Sequence, residues 1–188
     1  MSKTEHTDEE LILSFQKGDL DSFNEIVNRY KDKLLNYVNG YMNDIEFSEN
    51  LVQDTFMKVY THGHSYKQIA KFSTWIYTIA GNLAKTELRK IKRRKTYSFS
   101  QLSSKDNEFT LDRISVKTNE PDHETYDFIR AAIPKLSEEY RNIIILRDIQ
   151  ELSYDEISNI TKLALGTVKS RINRARIKLK ELISENRR

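Results

Sequence analysis

The residues best suited to recognition chemistry lie near the C-terminal end of the chain. Thr167, Lys169, Ser170, Asn173, Arg174 and Arg176 surround an apolar stripe of Val168, Ile172, Ala175, Leu179 and Leu182. The stripe advances by steps of four, three, four and three, which is one face of an α-helix. At about 100° per residue, with Val168 turned inward, the opposite face carries Ser170, Asn173 and Arg174. Lys169 and Thr167 stand at its two edges. Arginine can pair bidentately with guanine and asparagine with adenine, while serine and lysine serve bases or phosphates. Gly166 and Thr167 add backbone N–H groups at the helix start, where a phosphate can bind. This is the chemistry of a DNA-reading helix. A small bundle with a charged outer face would show the same stripe and stays an alternative at this point.

Such a helix must be held by its neighbours. Ser153 and Glu156 form a capping-box pattern that opens a short helix with Ile157 and Ile160 inward. A brief turn over 161–164 then leads into the basic helix. Short helix, turn, longer basic helix is the helix-turn-helix arrangement, whose second helix enters the major groove. Upstream, Phe128, Ile129, Ala132 and Ile133 fit one helix that Pro134 ends or bends. Ser137 is placed to cap the next, with Glu138 and Glu139 in its first turn.

The first half is helical throughout. Phe23, Ile26, Val27, Tyr30, Leu34, Tyr37, Val38 and Tyr41 recur mostly at steps of three and four, after a turn at Gly18-Asp19. Asp21 or Ser22 can cap that helix. A third helix is predicted over about 48–60, and a fourth from Phe72 through Trp75, Ile76, Ile79 and Leu83 into a basic block. No strand pairs and no repeat are legible. The stretch 96–123 is rich in Ser, Asn, Asp and Thr, lacks periodicity, and is longer than ordinary connections. The expected fold is all-α: two small helical domains, 1–95 and 124–188, joined by a flexible acidic linker, the second a helix-turn-helix.

Charge supports that division. Net charge is only +3, yet Lys85, Arg89, Lys90, Lys92, Arg93, Arg94 and Lys95 form one basic cluster and the C-terminal helix a second. The linker between them is acidic. Two basic surfaces joined by an acidic strap fit two nucleic-acid contacts. Cysteine is absent, which excludes disulfides and thiolate metal sites. The longest aliphatic run, Ile143-Ile144-Ile145-Leu146, is far short of the roughly 20 residues that span a bilayer. No signal-peptide pattern is visible, so a cytoplasmic location is expected. No cofactor is implied.

Residues 152–157 (LSYDEI) followed by 165–176 (LGTVKSRINRAR) resemble the promoter-reading domain of extracytoplasmic-function sigma factors of the sigma-70 family. Residues 133–141 (IPKLSEEYR) resemble the segment before it. In the first half, 49–60 (ENLVQDTFMKVY) is similar to the family's polymerase-binding helix, and 72–82 (FSTWIYTIAGN) to its promoter-melting helix.

The resemblance implies roles. Leu51, Gln53, Asp54 and Phe56 would contact the clamp helices of the polymerase's largest subunit, although Leu51 and Phe56 suit a core equally well. Asn82, Lys85 and Arg89 would face the −10 element. The 61–71 loop, with Tyr66, Lys67 and Lys71, would trap a flipped base. Tyr66 fits either a stacking platform or a packed ring, and Trp75 is read as core. Thr167, Lys169, Ser170, Asn173, Arg174 and Arg176 would read the −35 element. The linker would run toward the RNA exit path of polymerase. Expected partners are core RNA polymerase, promoter DNA and an anti-sigma factor, often membrane-anchored in this family, with no small-molecule substrate and no enzymatic activity.

Four positions depart from the family pattern: Gly81, Thr86, Lys162 and Ala164. They bear on promoter preference and on how firmly the turn is set. Two rivals stand beside the sigma reading. One is a stand-alone helix-turn-helix regulator acting without polymerase. The other is a serine recombinase, which needs a strand-containing catalytic domain.

Overall fold

The structure, a computed structural model, describes residues 6–98, 128–129 and 131–186. Most of the expected linker, 99–123, lies outside the described residues. The described chain is all-α. In order, it forms α1 (Asp8–Gln16), α2 (Leu20–Met42), α3 (Ile45–His62), a 3-10 turn (Gly63–Ser65) and α4 (Phe72–Ser98). The second half opens with a 3-10 turn at Ile133–Lys135, where Pro134 stops the preceding helical turn. Then come α5 (Glu138–Ile144), which continues into a π-helical turn (Ile145–Ile149), α6 (Tyr154–Thr161) and α7 (Leu165–Asn186).

Caps explain where the helices begin. Thr7 and Glu10 form a reciprocal capping box at α1. The cap of α2 is Asp19, not Asp21 or Ser22 as expected. Its carboxylate accepts from the Asp21 and Ser22 amides at 3.0 and 3.4 Å and from the Ser22 hydroxyl at 2.6 Å. Gly18, with φ +100°, makes the preceding turn and sets the cap at Asp19, ahead of both Asp21 and Ser22. Ser137 occupies the cap position of α5, but its side chain makes no capping bond. Ser153 and Glu156 close the expected box at α6.

Within the N-terminal half, α2 is the central element, packed by α1, α3 and α4. The C-terminal half packs α5 and α6 against α7. The halves also meet each other. Buried side chains from both, among them Tyr37, Ile76 and Tyr77 with Ile144, Leu146 and Ile157, belong to one continuous hydrophobic cluster. Helix α6 lies on α4, and α5 lies on α2.

Polar contacts cross the same seam. The Tyr77 hydroxyl donates to Gln150 Oε1 at 2.8 Å, and Arg141 Nη1 donates to the Gly40 carbonyl at 3.4 Å. The two helical regions are therefore apposed, an arrangement that linker composition does not announce.

Candidate nucleic-acid interface

The helix-turn-helix is built as its sequence requires. Val168, Ile172 and Ala175 are buried, while Lys169, Ser170, Asn173 and Arg174 are exposed on the far side of α7. Thr167 is half-buried at the edge. The turn closes through Lys162, whose backbone is left-handed at φ 62° and whose amide donates to Ser158 O at 2.9 Å. The Ser158 hydroxyl reaches across to Leu163 O at 2.6 Å. A glycine would adopt that φ without strain. Lys162 holds it because these bonds fix the turn from both sides. Ala164 accepts the first helical bond of α7, from the Val168 amide, without a side chain able to cap.

The six residues expected at the −35 surface differ in how free they are. Lys169, Asn173 and Arg174 present open side chains. The Ser170 hydroxyl donates back to Thr167 O at 3.0 Å. Arg176 is engaged by Asp148 at the end of the π-turn, with Nε to Oδ2 at 3.1 Å and a second contact from Nη2 to Oδ1. That hydrogen bond is the main cause holding its guanidinium above the ordinary value. Arg176 must exchange partners before it can meet a phosphate.

In the N-terminal half, α3 exposes Gln53 and Asp54, as the expected polymerase contact requires. Leu51 is buried in the core, and Phe56 is half-buried and packed against it. The open face of α3 instead carries Met57, 60% exposed, and Tyr60, 47% exposed. Gln53, Met57 and Tyr60 lie at i, i+4 and i+7, a helical row opposite the buried Leu51, Val52, Thr55 and Val59. That row was available from the spacing of the sequence.

The loop before α4 is held by α1. Gln16 Nε2 donates to Gly63 O at 2.9 Å and Tyr66 O at 3.0 Å, while Glu9 accepts from the Phe72 amide at 2.8 Å. Tyr66 is 5% exposed, its ring packed on Phe72 and Trp75 and its hydroxyl bonded to Ala70 O. In this arrangement Tyr66 is a framework residue of the loop and not an open stacking platform. The exposed members of the loop include Lys67, Lys71 and Ile69, the last 89% exposed and not singled out by periodicity. On α4, Asn82 and Arg89 are exposed and Lys85 is half-buried. Burial first, then the nearby Lys162 and Arg89, hold the Lys85 ammonium below its ordinary value.

Comparison with known proteins decides the class. The sigma-70 region 2 family matches residues 26–94, and the sigma-70 region 4 family matches residues 129–179. The chain is 32% identical over 179 residues to the ECF RNA polymerase sigma factor SigW of Bacillus subtilis, covering 93% of this chain and 95% of that one. It is 34% identical over 175 residues to the ECF RNA polymerase sigma-E factor of Escherichia coli, covering 90% and 91%. The chain is an extracytoplasmic-function sigma factor of the sigma-70 family.

Among solved structures, it is similar to the Bartonella quintana sigma factor RpoE in complex with the anti-sigma factor NepR. That match has TM-score 0.69, 26% identity, and covers 86% of this chain and 96% of that one. CnrH in complex with the cytosolic domain of CnrY shares the fold, with TM-score 0.65 and 20% identity over 95% of this chain and 97% of that one. As a sigma factor, the protein directs RNA polymerase to promoters. The stand-alone regulator is set aside by the region 2 match, and the recombinase by the absence of any strand among the described residues. No helix among the described residues is long and apolar enough to cross a membrane.

Proposed function

We propose that this sigma factor divides its work between two surfaces. The half made by residues 1–95 docks core RNA polymerase through α3 and opens the −10 region. The half made by 124–188 grips the −35 element, and the acidic 96–123 segment links them inside polymerase. The observation that carries the reading is the open face of α7: Lys169, Asn173 and Arg174 stand clear of every packed element, on the side away from Val168 and Ile172.

On α3, Gln53 and Asp54 supply polar contacts, Met57 and Tyr60 the apolar ones, and Leu51 supports them from beneath. On the −10 side, Asn82 and Arg89 meet the opened strand, with Lys67, Lys71 and Lys85 as phosphate partners. Tyr66 positions the loop that presents them. Nothing in this division requires covalent chemistry from the chain; polymerase supplies it.

An anti-sigma factor is the expected inhibitory partner, supported by the similarity to a sigma factor solved with one. Genome-wide mapping of start sites after induced expression tests the −35 assignment. Asn173→Ala or Arg174→Ala should each weaken binding by about 1–3 kcal/mol and relax preference at one base pair. Lys169→Ala should instead weaken all promoters evenly. Unaltered promoter choice in all three variants would remove α7 as the reader.

A further inference from the structure

Two residues of α1 hold both ends of the loop that precedes α4, and the inference here rests on the assignment of that loop to the opened strand. Glu9 and Gln16 are two helical turns apart and so share one face of α1. Gln16 Nε2 donates to the Gly63 carbonyl at 2.9 Å and to the Tyr66 carbonyl at 3.0 Å, where the loop begins. Glu9 Oε1 accepts from the Phe72 amide at 2.8 Å, where the loop ends. That amide is one of the donors that a helix start leaves without an internal partner. Lys71, the residue before α4, has no acceptor side chain, and Glu9 supplies the acceptor from another helix.

Helix α1 also lies hard against the loop backbone. A Cβ on Gly63 would stand 2.8 Å from Phe15 Cε1 and 3.7 Å from Ile12 Cδ1, an approach that only glycine allows. The helix is fixed in turn on α2. Asp8 Oδ1 accepts from Arg29 Nη1 at 3.0 Å, and Asp8 Oδ2 accepts from the Tyr30 hydroxyl at 2.5 Å.

Between these anchors the tip stands clear. Lys67, Gln68, Ile69, Ala70 and Lys71 are all exposed, flanked by the buried Tyr66 and Phe72. The Tyr66 hydroxyl donates to Ala70 O at 2.8 Å and the Ile69 amide to Lys67 O at 2.7 Å, which curls the tip into a tight turn. We propose that α1 is the positioning element of this loop: Gln16 and Glu9 hold its two ends at the spacing at which the tip takes a base from the opened strand. Neither residue meets the strand; each acts through the loop backbone. A loop already in its bound shape loses less of its stacking energy to ordering. If α1 were only a scaffold, its loss would weaken every function of this half. As a positioning element, its loss weakens capture of one base.

The test uses holoenzyme assembled from core polymerase and the full-length chain. The probe is a dye-labelled single-stranded oligonucleotide carrying the −10 region of a promoter from the start-site map, in the strand that binds more tightly. A companion set replaces one base at a time with an abasic sugar. In wild type, one abasic position should weaken binding by about tenfold, the worth of one stacked base. Gln16→Leu and Glu9→Ala should each weaken the intact oligonucleotide by about fivefold. Both should bind that abasic oligonucleotide within about twofold of wild type, because the base through which α1 acts is gone. Glu9→Gln keeps an oxygen that can accept from the Phe72 amide and should bind like wild type. Core affinity should be unchanged in all three variants.

Equal weakening of intact and abasic oligonucleotides, no weakening at all, Glu9→Gln as damaging as Glu9→Ala, or loss of core binding by Gln16→Leu or Glu9→Ala each overturns the proposal. A wild type that binds every abasic oligonucleotide as tightly as the intact one overturns instead the assignment of the loop to the opened strand.

Discussion

The Tyr77 hydroxyl donates a 2.8 Å hydrogen bond to Gln150 Oε1, tying α4 to the end of the π-turn that follows α5. Tyr77 is 1% exposed, and burial holds its phenol well above the ordinary value, so the donor keeps its proton. This bond joins the region 2 half to the region 4 half through their shared core.

Removing either partner should destabilise the chain, but unequally. Tyr77→Phe deletes the donor and leaves a part-exposed acceptor that water can reach, a loss of about 1 kcal/mol. Gln150→Ala strands a buried hydroxyl, which costs about 1–3 kcal/mol. Urea denaturation of the two variants should give that order. Equal or reversed effects would place the bond outside the closed core.

Gly81 and Tyr37 form a second tight relationship. A Cβ at Gly81 would sit 2.7 Å from the Tyr37 hydroxyl oxygen, and Tyr37 is fully buried with that hydroxyl 3.2 Å from Tyr41's. Alanine in mid-helix gains about 1 kcal/mol of propensity, but overpacking here costs about 1–3 kcal/mol. Gly81→Ala should therefore be neutral to destabilising, by up to about 2 kcal/mol. Tyr37→Phe leaves only ring atoms, at 3.5 Å, facing the new methyl. A double-mutant cycle should show positive coupling, with Gly81→Ala better tolerated in the Phe background.

The helix-turn-helix turn should accept improvement. Lys162→Gly relieves a left-handed conformation that costs a non-glycine residue about 1–2 kcal/mol, offset in part by the freer unfolded chain. The expected net gain is below about 1 kcal/mol. Ala164→Ser supplies the missing cap of α7, about 1 kcal/mol more. Thermal unfolding should show both increments, additive within a few tenths of a kcal/mol if the two act separately.

Glu156 links stability to pH. Burial pushes its carboxyl up, but the Ser153 hydroxyl and amide and the Lys71 ammonium outweigh that and leave it below its ordinary value. A lowered carboxyl contributes stability above its unfolded value of about 4.3 and loses it as pH falls through the folded value. Glu156→Gln keeps the cap geometry and removes the charge. Chemical denaturation from neutral pH to about pH 3 should show a shallower acid loss for the variant than for wild type.

Much of this is legible in the sequence. The α7 stripe, the Ser153–Glu156 box and the polar face of Asn173 and Arg174 follow from periodicity and capping chemistry, which are local. The cap of α2 was misplaced because Gly18's positive φ starts the helix earlier than the apolar pattern shows. Leu51 and Tyr66 were ambiguous because one helix or loop cannot say which neighbour covers it; α1, α2 and α4 decide both. The contact of α6 with α4 was invisible for the same reason. The seam also rests on Gly40 of α2 admitting Asn142 of α5, about a hundred residues away, and on Tyr77 of α4 reaching Gln150, 73 residues away.

This chain gives RNA polymerase its promoter choice. Run-off transcription from purified components, with core polymerase and a library of genomic fragments, tests it most directly. Specific start sites should appear only when the chain is added, and should shift or fade with Asn173→Ala and Arg174→Ala. The same start sites from core polymerase alone, or no binding of the chain to core, would contradict it.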